Sequence, residues 1–126
     1  MVDHLHREDG THIAVEVLDH TVTLRPTGEI DFDTAASLGL ALTEALTHAS
    51  PARPVVVDCS RVTFCDSSAL NTLLRARRTA EPTGTVIRIA SPNPQLQQLL
   101  EMTGTLSLFP VDQERTDDEG QEEGSG

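Results

Sequence analysis

The sequence predicts a single α/β domain: a mixed β-sheet with helices packed on it, in the element order β-β-α-β-α-β-α-β. Three observations carry this. Short apolar, largely β-branched runs (Val55-Val56-Val57 and Val86-Ile87 among them) alternate with longer stretches whose leucines recur at helical spacing. Strands that alternate with helices need crossover connections, and hence a parallel portion of sheet. The first two strand patterns are joined by a turn at Asp19-His20, which makes a hairpin instead. A chain of 126 residues has room for one modest core.

Residues 1–10 are polar and charged and read as a flexible N-terminal lead-in to a domain over residues 11–112. Ile13, Val15 and Val17 alternate with polar residues, as do Val22 and Leu24. Pro26-Thr27-Gly28 ends that hairpin, and Thr34 is placed to cap the first helix. Leu38, Leu42, Ala45, Leu46 and Ala49 give that helix one apolar stripe. Ser50-Pro51-Ala52-Arg53-Pro54 stops it, since proline cannot continue a helix. The run Val55-Val56-Val57 reads as a strand covered on both faces, followed by an irregular loop to Asp66. Asp66, Ser67 and Ser68 are all good helix caps, and Leu70, Leu73, Leu74 and Arg77 mark one side of a second helix. Glu81-Pro82-Thr83-Gly84 closes it. Residues 85–90 make another strand. Asn93 then caps a short helix with Pro94 at its first position and Gly104 after its end. Residues 106–111 read as a last strand. From residue 113 the chain holds six acids, one arginine and no apolar residue, the composition of a disordered acidic tail.

Charge excludes some functions. Twenty Asp and Glu stand against nine basic residues, all of them arginine, for a formal net charge of −11. That field repels phosphate backbones and anionic lipid, so neither nucleic acid nor a membrane surface is an expected partner. No apolar run approaches the roughly 20 residues that span a bilayer, and the first ten residues have no signal-peptide core. The expected location is the cytoplasm, where Cys59 and Cys65 are reduced thiols. Their spacing is not that of a zinc site.

Catalytic signatures are missing. Ser67 lacks the Gly-x-Ser-x-Gly frame of an esterase elbow. The chain has no Gly-x-x-x-x-Gly-Lys phosphate loop. Asp3, His4, His6 and Asp9 are competent metal ligands, but they read as a solvated polar lead-in. The expectation is a protein that is not an enzyme and needs no cofactor or metal. The cluster Asp66-Ser67-Ser68, where a strand hands over to a helix, is the most informative stretch, because α/β folds place working residues there. Capping needs only one of the three. A regulatory phosphoacceptor is the functional reading, since a helix N-terminus tolerates a phosphate.

The same residues resemble a family. Asp66-Ser67-Ser68-Ala69-Leu70 is similar to the Asp-Ser-Ser-Gly-Leu signature of STAS-domain anti-sigma factor antagonists. Gly28-Glu29-Ile30-Asp31 resembles that family's Gly-Glu-Leu-Asp turn. The strand from Val56 through Phe64 resembles its approach to the signature, and Ser91-Pro92 through Met102-Thr103-Gly104 its Ser-Pro, helix, Met-Ser-Gly segment. The resemblance covers residues 11–112. It implies a single STAS domain whose unphosphorylated form binds an anti-sigma factor that is also a Ser/Thr kinase, freeing a sigma factor. It implies Ser67 as the phosphorylation site and a Ser/Thr phosphatase as the reset. Asp66 would shape the turn, Ser68 would support the helix start, and Asp31, Asp66, Ser67, Ser68 and Ala69 would form the partner-binding surface. Two features depart from the family pattern. Ala69 stands where the family has Gly, and the acidic tail has no apolar stripe for the family's closing helix. The alternatives are a constitutive STAS interaction subunit of a transporter or stress-signalling complex, with Ser67 only a cap, and an enzyme that uses Ser67.

Overall fold

The computed structural model describes residues 13–112, so the lead-in at 1–10 and the tail from 113 lie outside the described residues. Strands β1 (Ala14–Val17) and β2 (Val22–Arg25) form the expected antiparallel hairpin, with Val15 opposite Leu24. β2 then pairs in parallel with β4 (Val55–Asp58), β4 with β6 (Ile87–Ala90), and β6 with β7 (Val111–Asp112). The result is a mixed sheet of order β1-β2-β4-β6-β7. Its register aligns Val15, Leu24, Val57, Ile89 and Val111 in one row across all five strands. Residues two apart share a face, so Val22, Val55 and Ile87 flank that row. All six inner members, from Val22 and Leu24 to Ile87 and Ile89, are buried.

Helix α1 (Ala35–His48) buries Leu38, Leu42 and Ala45 against this row, as its stripe requires. Helix α2 (Ser67–Ala80) buries Leu70, Leu73 and Ala76, and α3 (Pro94–Met102) buries Leu96 and Leu100. Arg77 is half-buried, and its Nε donates to the Leu108 carbonyl at 3.2 Å. Gly84 ends the α2 region in the left-handed conformation at φ 76°, which glycine adopts without a Cβ penalty.

Three expectations need correction. Gly28–Ile30 is a strand, β3, and Val62–Cys65 is another, β5; the two pair in parallel as a separate sheet. The segment read as an irregular loop before Asp66 is therefore partly strand. β3 has only three residues, and β5 exposes both Thr63 and Phe64, so neither shows the alternation that marks a strand. The third correction concerns residues 106–111. Leu106–Leu108 is a 3₁₀ turn closed by Leu108 N–H to Thr105 O at 2.9 Å, and only Val111–Asp112 is strand. Leucines two apart imitate a strand there, but Gly104 at φ 73° has just reversed the chain and brings it into a turn.

Candidate functional site

The small second sheet builds the site. β3 and β5 run in parallel and end level with each other, Ile30 opposite Cys65. The next residues, Asp31 and Asp66, therefore open two turns side by side, and each turn leads into a helix. The Asp66 N–H donates to the Ile30 carbonyl at 3.3 Å, joining one turn to the strand before the other. The structure thus brings together Asp31, Asp66, Ser67 and Ser68, which the sequence separates by more than thirty positions.

The Asp66 turn has one cap, and it is Asp66. Its backbone is extended (φ −124°, ψ −168°), and Oδ1 accepts the Ser68 N–H at 2.8 Å. Its carbonyl accepts the Ala69 N–H at 3.0 Å. This satisfies N–H groups that a helix start leaves without partners, and the carboxylate also suits the positive end of the helix dipole. Ser67 is the first residue of α2 and is exposed. Among the described residues its hydroxyl has no hydrogen-bond partner, so Ser67 does not cap the helix. Ser68 is half-buried beside it. Ala69 is only 2% exposed and joins the core. It lies within the helix, and the only non-glycine residue of positive φ among the described residues is Ser91. Alanine therefore fits where the family signature has glycine.

The Asp31 turn is closed by a reciprocal pair. The Asp31 N–H donates to Thr34 Oγ1 at 2.8 Å, and the Thr34 N–H donates to Asp31 Oδ1 at 3.1 Å. The one hydroxyl proton of Thr34 is shared between the Glu29 carbonyl at 2.9 Å and Asp31 Oδ1 at 3.1 Å. Thr34 stands at the expected cap position, and its carbonyl accepts the Ser37 and Leu38 N–H groups, but its side chain bonds backwards into the turn and caps no N–H of α1. The Thr34 N–H holds the Asp31 carboxyl below its ordinary value, outweighing desolvation, and the Thr34 hydroxyl adds to it.

The N-terminus of α3 braces β5 from its other edge. Asn93 accepts the Leu96 N–H at 2.9 Å as the expected cap, and its Nδ2 donates to the Val62 carbonyl at 3.4 Å. Gln95 Oε1 accepts the Cys65 N–H at 3.1 Å, one residue before Asp66. The sequence marks Asn93 as a cap, but not this long-range link. Cys59 and Cys65 are buried and free. Burial pushes the Cys59 thiol up to about 12, and burial, then the neighbouring Asp66, raises that of Cys65. Both stay protonated at neutral pH and are poor nucleophiles.

Sequence reasoning also missed a groove between α1 and α2. It holds about 740 Å³ and begins at Ser68, with Phe32 and Leu40 on one side and Asn71 and Arg75 on the other. Phe32, Ala36 and Leu40 recur every fourth residue, a second apolar stripe that was legible beside the first. Among the described residues no cluster of three His, Cys, Asp or Glu could hold a metal, and the candidate ligands at Asp3, His4, His6 and Asp9 lie outside them. No described helix is long and apolar enough to cross a membrane.

Comparison with known proteins adds the relatives. The family model described as MlaB, STAS domain, matches residues 13–108. An anti-sigma F factor antagonist of Paenibacillus polymyxa is 24% identical over 102 residues, covering 79% of this chain and 86% of that protein. The crystal structure of an anti-sigma factor antagonist from Mycobacterium paratuberculosis superposes with a TM-score of 0.71 at 25% identity, covering 82% of this chain and 86% of that one. The Bacillus cell fate determinant SpoIIAA in its phosphorylated form shares the fold, with a TM-score of 0.61 at 20% identity over 79% of this chain and 90% of its own. The match of the family model over most of the described residues, on a fold these structures share, places the chain in the STAS domain family.

Proposed function

We propose that the chain is an anti-sigma factor antagonist switched by phosphorylation of Ser67. Its unphosphorylated form binds an anti-sigma factor that is also a Ser/Thr kinase, and so frees a sigma factor. The kinase transfers the γ-phosphoryl group of its own ATP to Ser67 Oγ. The serine proton goes to a base on the kinase, and ADP leaves. A Ser/Thr phosphatase restores the hydroxyl. This chain supplies the acceptor and the docking surface and no catalytic group.

The observation that carries the reading is the division of labour at the start of α2. Asp66 caps the helix, which leaves the Ser67 hydroxyl exposed and without a hydrogen-bond partner among the described residues. Phosphorylation adds close to two negative charges there. The helix N-terminus tolerates them, so the fold is kept. A partner that covers the turn with apolar or acidic groups meets desolvation and repulsion together. Asp31, Asp66, Ser67 and Ser68 form the surface, and Ala69 keeps the helix start packed beneath it. The kinship with anti-sigma factor antagonists supports the same reading.

The test is a pull-down from extract of the source cells with wild type, Ser67→Ala and Ser67→Asp as paired baits. The expected result is an ATP-binding kinase held by wild type and Ser67→Ala and lost with Ser67→Asp. The same proteins on all three baits would support a constitutive STAS subunit instead.

A further inference from the structure

We infer that the groove between α1 and α2 receives an amphipathic helix of the anti-sigma partner, seated by an apolar ridge on Phe32 and Leu40 and by a carboxylate on Arg75. The inference rests on the reading above and names how that partner docks.

Two parallel stripes define the groove. On the α1 side Ala36 and Leu40 stand four residues apart on one side of the helix, and Phe32, in the turn that leads into α1, lines the groove with them. Phe32 is 81% exposed and Leu40 74%. Two large side chains so exposed on one line are not explained by the core, which α1 serves with Leu38, Leu42 and Ala45. On the α2 side Ser68, Asn71 and Arg75, three and four residues apart, line it in the same way. The floor is made by Gly39 and Thr72. A Cβ on Gly39 would already lie 3.5 Å from Thr72 Cγ2, so the two helices are in ordinary contact there. The groove continues past Arg75 into a recess of about 210 Å³ lined by Thr43, Leu46 and Thr79. Each helix has 14 residues, about 21 Å at the usual rise, which suits an occupant of three to four turns.

Charge sets the occupant's polarity. Arg75 is exposed and forms no ion pair among the described residues, so a carboxylate at that end is complementary. At the other end Asp33 lines the groove and Asp66 stands beside Ser67. The part of the occupant that covers this end is apolar, lying on Phe32. Ser67, the first residue of α2, directly precedes Ser68 at the head of the groove. A phosphate there sets a charge beside the end that the apolar part of the occupant covers, so docking would desolvate it. The switch residue therefore adjoins the groove through its neighbour Ser68, which lines it.

The test uses the kinase identified on the wild-type bait, purified, with dissociation constants measured by calorimetry. Leu40→Glu is expected to weaken binding about 30-fold, the loss of one buried leucine contact. Arg75→Glu is expected to weaken it about 10-fold through reversed charge. Met102→Glu, on the exposed end of α3, is the control and is expected to bind as wild type. Leu40, Arg75 and Met102 are all exposed, so melting temperatures close to wild type are expected and verify the fold. Binding within twofold of wild type by both Leu40→Glu and Arg75→Glu, while Ser67→Asp has lost it, would overturn the groove and leave the switch intact. Failure of wild type to retain any kinase would overturn the switch and the groove together.

Discussion

Replacing Asp66 separates a structural serine cluster from a signalling one. The Asp66 carboxylate caps α2 through a single bond of 2.8 Å to the Ser68 N–H. In Asp66→Ala that N–H loses its protein partner, at a cost of about 1 kcal/mol. The lost interaction between the negative charge and the helix dipole adds about 0.5 kcal/mol. A total of about 1.5 kcal/mol lowers the melting temperature of a domain of this size by roughly 8 °C. Asp66→Asn keeps a good cap and loses only the charge, so it is expected to fall between Asp66→Ala and wild type. Ser67→Ala removes a hydroxyl with no hydrogen-bond partner among the described residues and is expected within about 0.5 kcal/mol of wild type. The assay is urea unfolding followed by circular dichroism at neutral pH, with calorimetric melting as a second reading. A Ser67→Ala variant as unstable as Asp66→Ala would refute the reasoning, because Ser67 would then be the cap and its exposure would signify nothing.

Further outcomes follow from the surroundings of the site. Thr34→Val leaves the Asp31 N–H without its acceptor and is expected to cost about 1–2 kcal/mol in the same unfolding assay. The folded-state pKa of Asp31 lies below its ordinary value of 3.8, so its contribution to stability is present above that value and is lost as pH falls through the folded pKa. Unfolding from pH 6 down to pH 2 is therefore expected to show a smaller acid-side loss for Asp31→Asn than for wild type, and parallel curves would contradict the bond to the Thr34 N–H. Cys59, raised to about 12 from 9.0, stabilises the fold below pH 9 and ceases to do so as pH climbs toward 12. Iodoacetamide is expected to label neither thiol in the native protein at pH 7.5 and both in urea, as read by intact mass. Ala69→Gly, which restores the family's residue, is expected to destabilise by about 1 kcal/mol, since a buried alanine within a helix is replaced by the weaker helix former.

The parts of the molecule that were legible in advance are those with a periodic or local chemical signal. The β1–β2 hairpin, the stripe of α1, the cap Asn93 and the proline at the start of α3 each follow from a few neighbouring residues. The second sheet was not legible, because β3 and β5 are held together by each other and by the side chains of α3, and neither alternates. That sheet is what sets the Asp31 turn beside Ser67. The resemblance to the family signature pointed to Asp31, but the pairing of Ile30 with Cys65 supplies the physical reason. Which of three candidate caps is used was likewise open in the sequence and is decided by backbone direction: Asp66 is the extended residue, so its side chain meets the free N–H groups. The groove had a visible half, the spacing of Phe32, Ala36 and Leu40, and a hidden half, since Arg75 belongs to another helix.

The most direct test of the central claim is to incubate the purified protein with the kinase it retains and ATP, and to locate phosphate by peptide mass spectrometry. The expected result is one phosphate on Ser67, none on the Ser67→Ala variant, and release of the kinase from the modified protein. Phosphate on Ser68 or elsewhere, or a kinase that stays bound after Ser67 is modified, would contradict it.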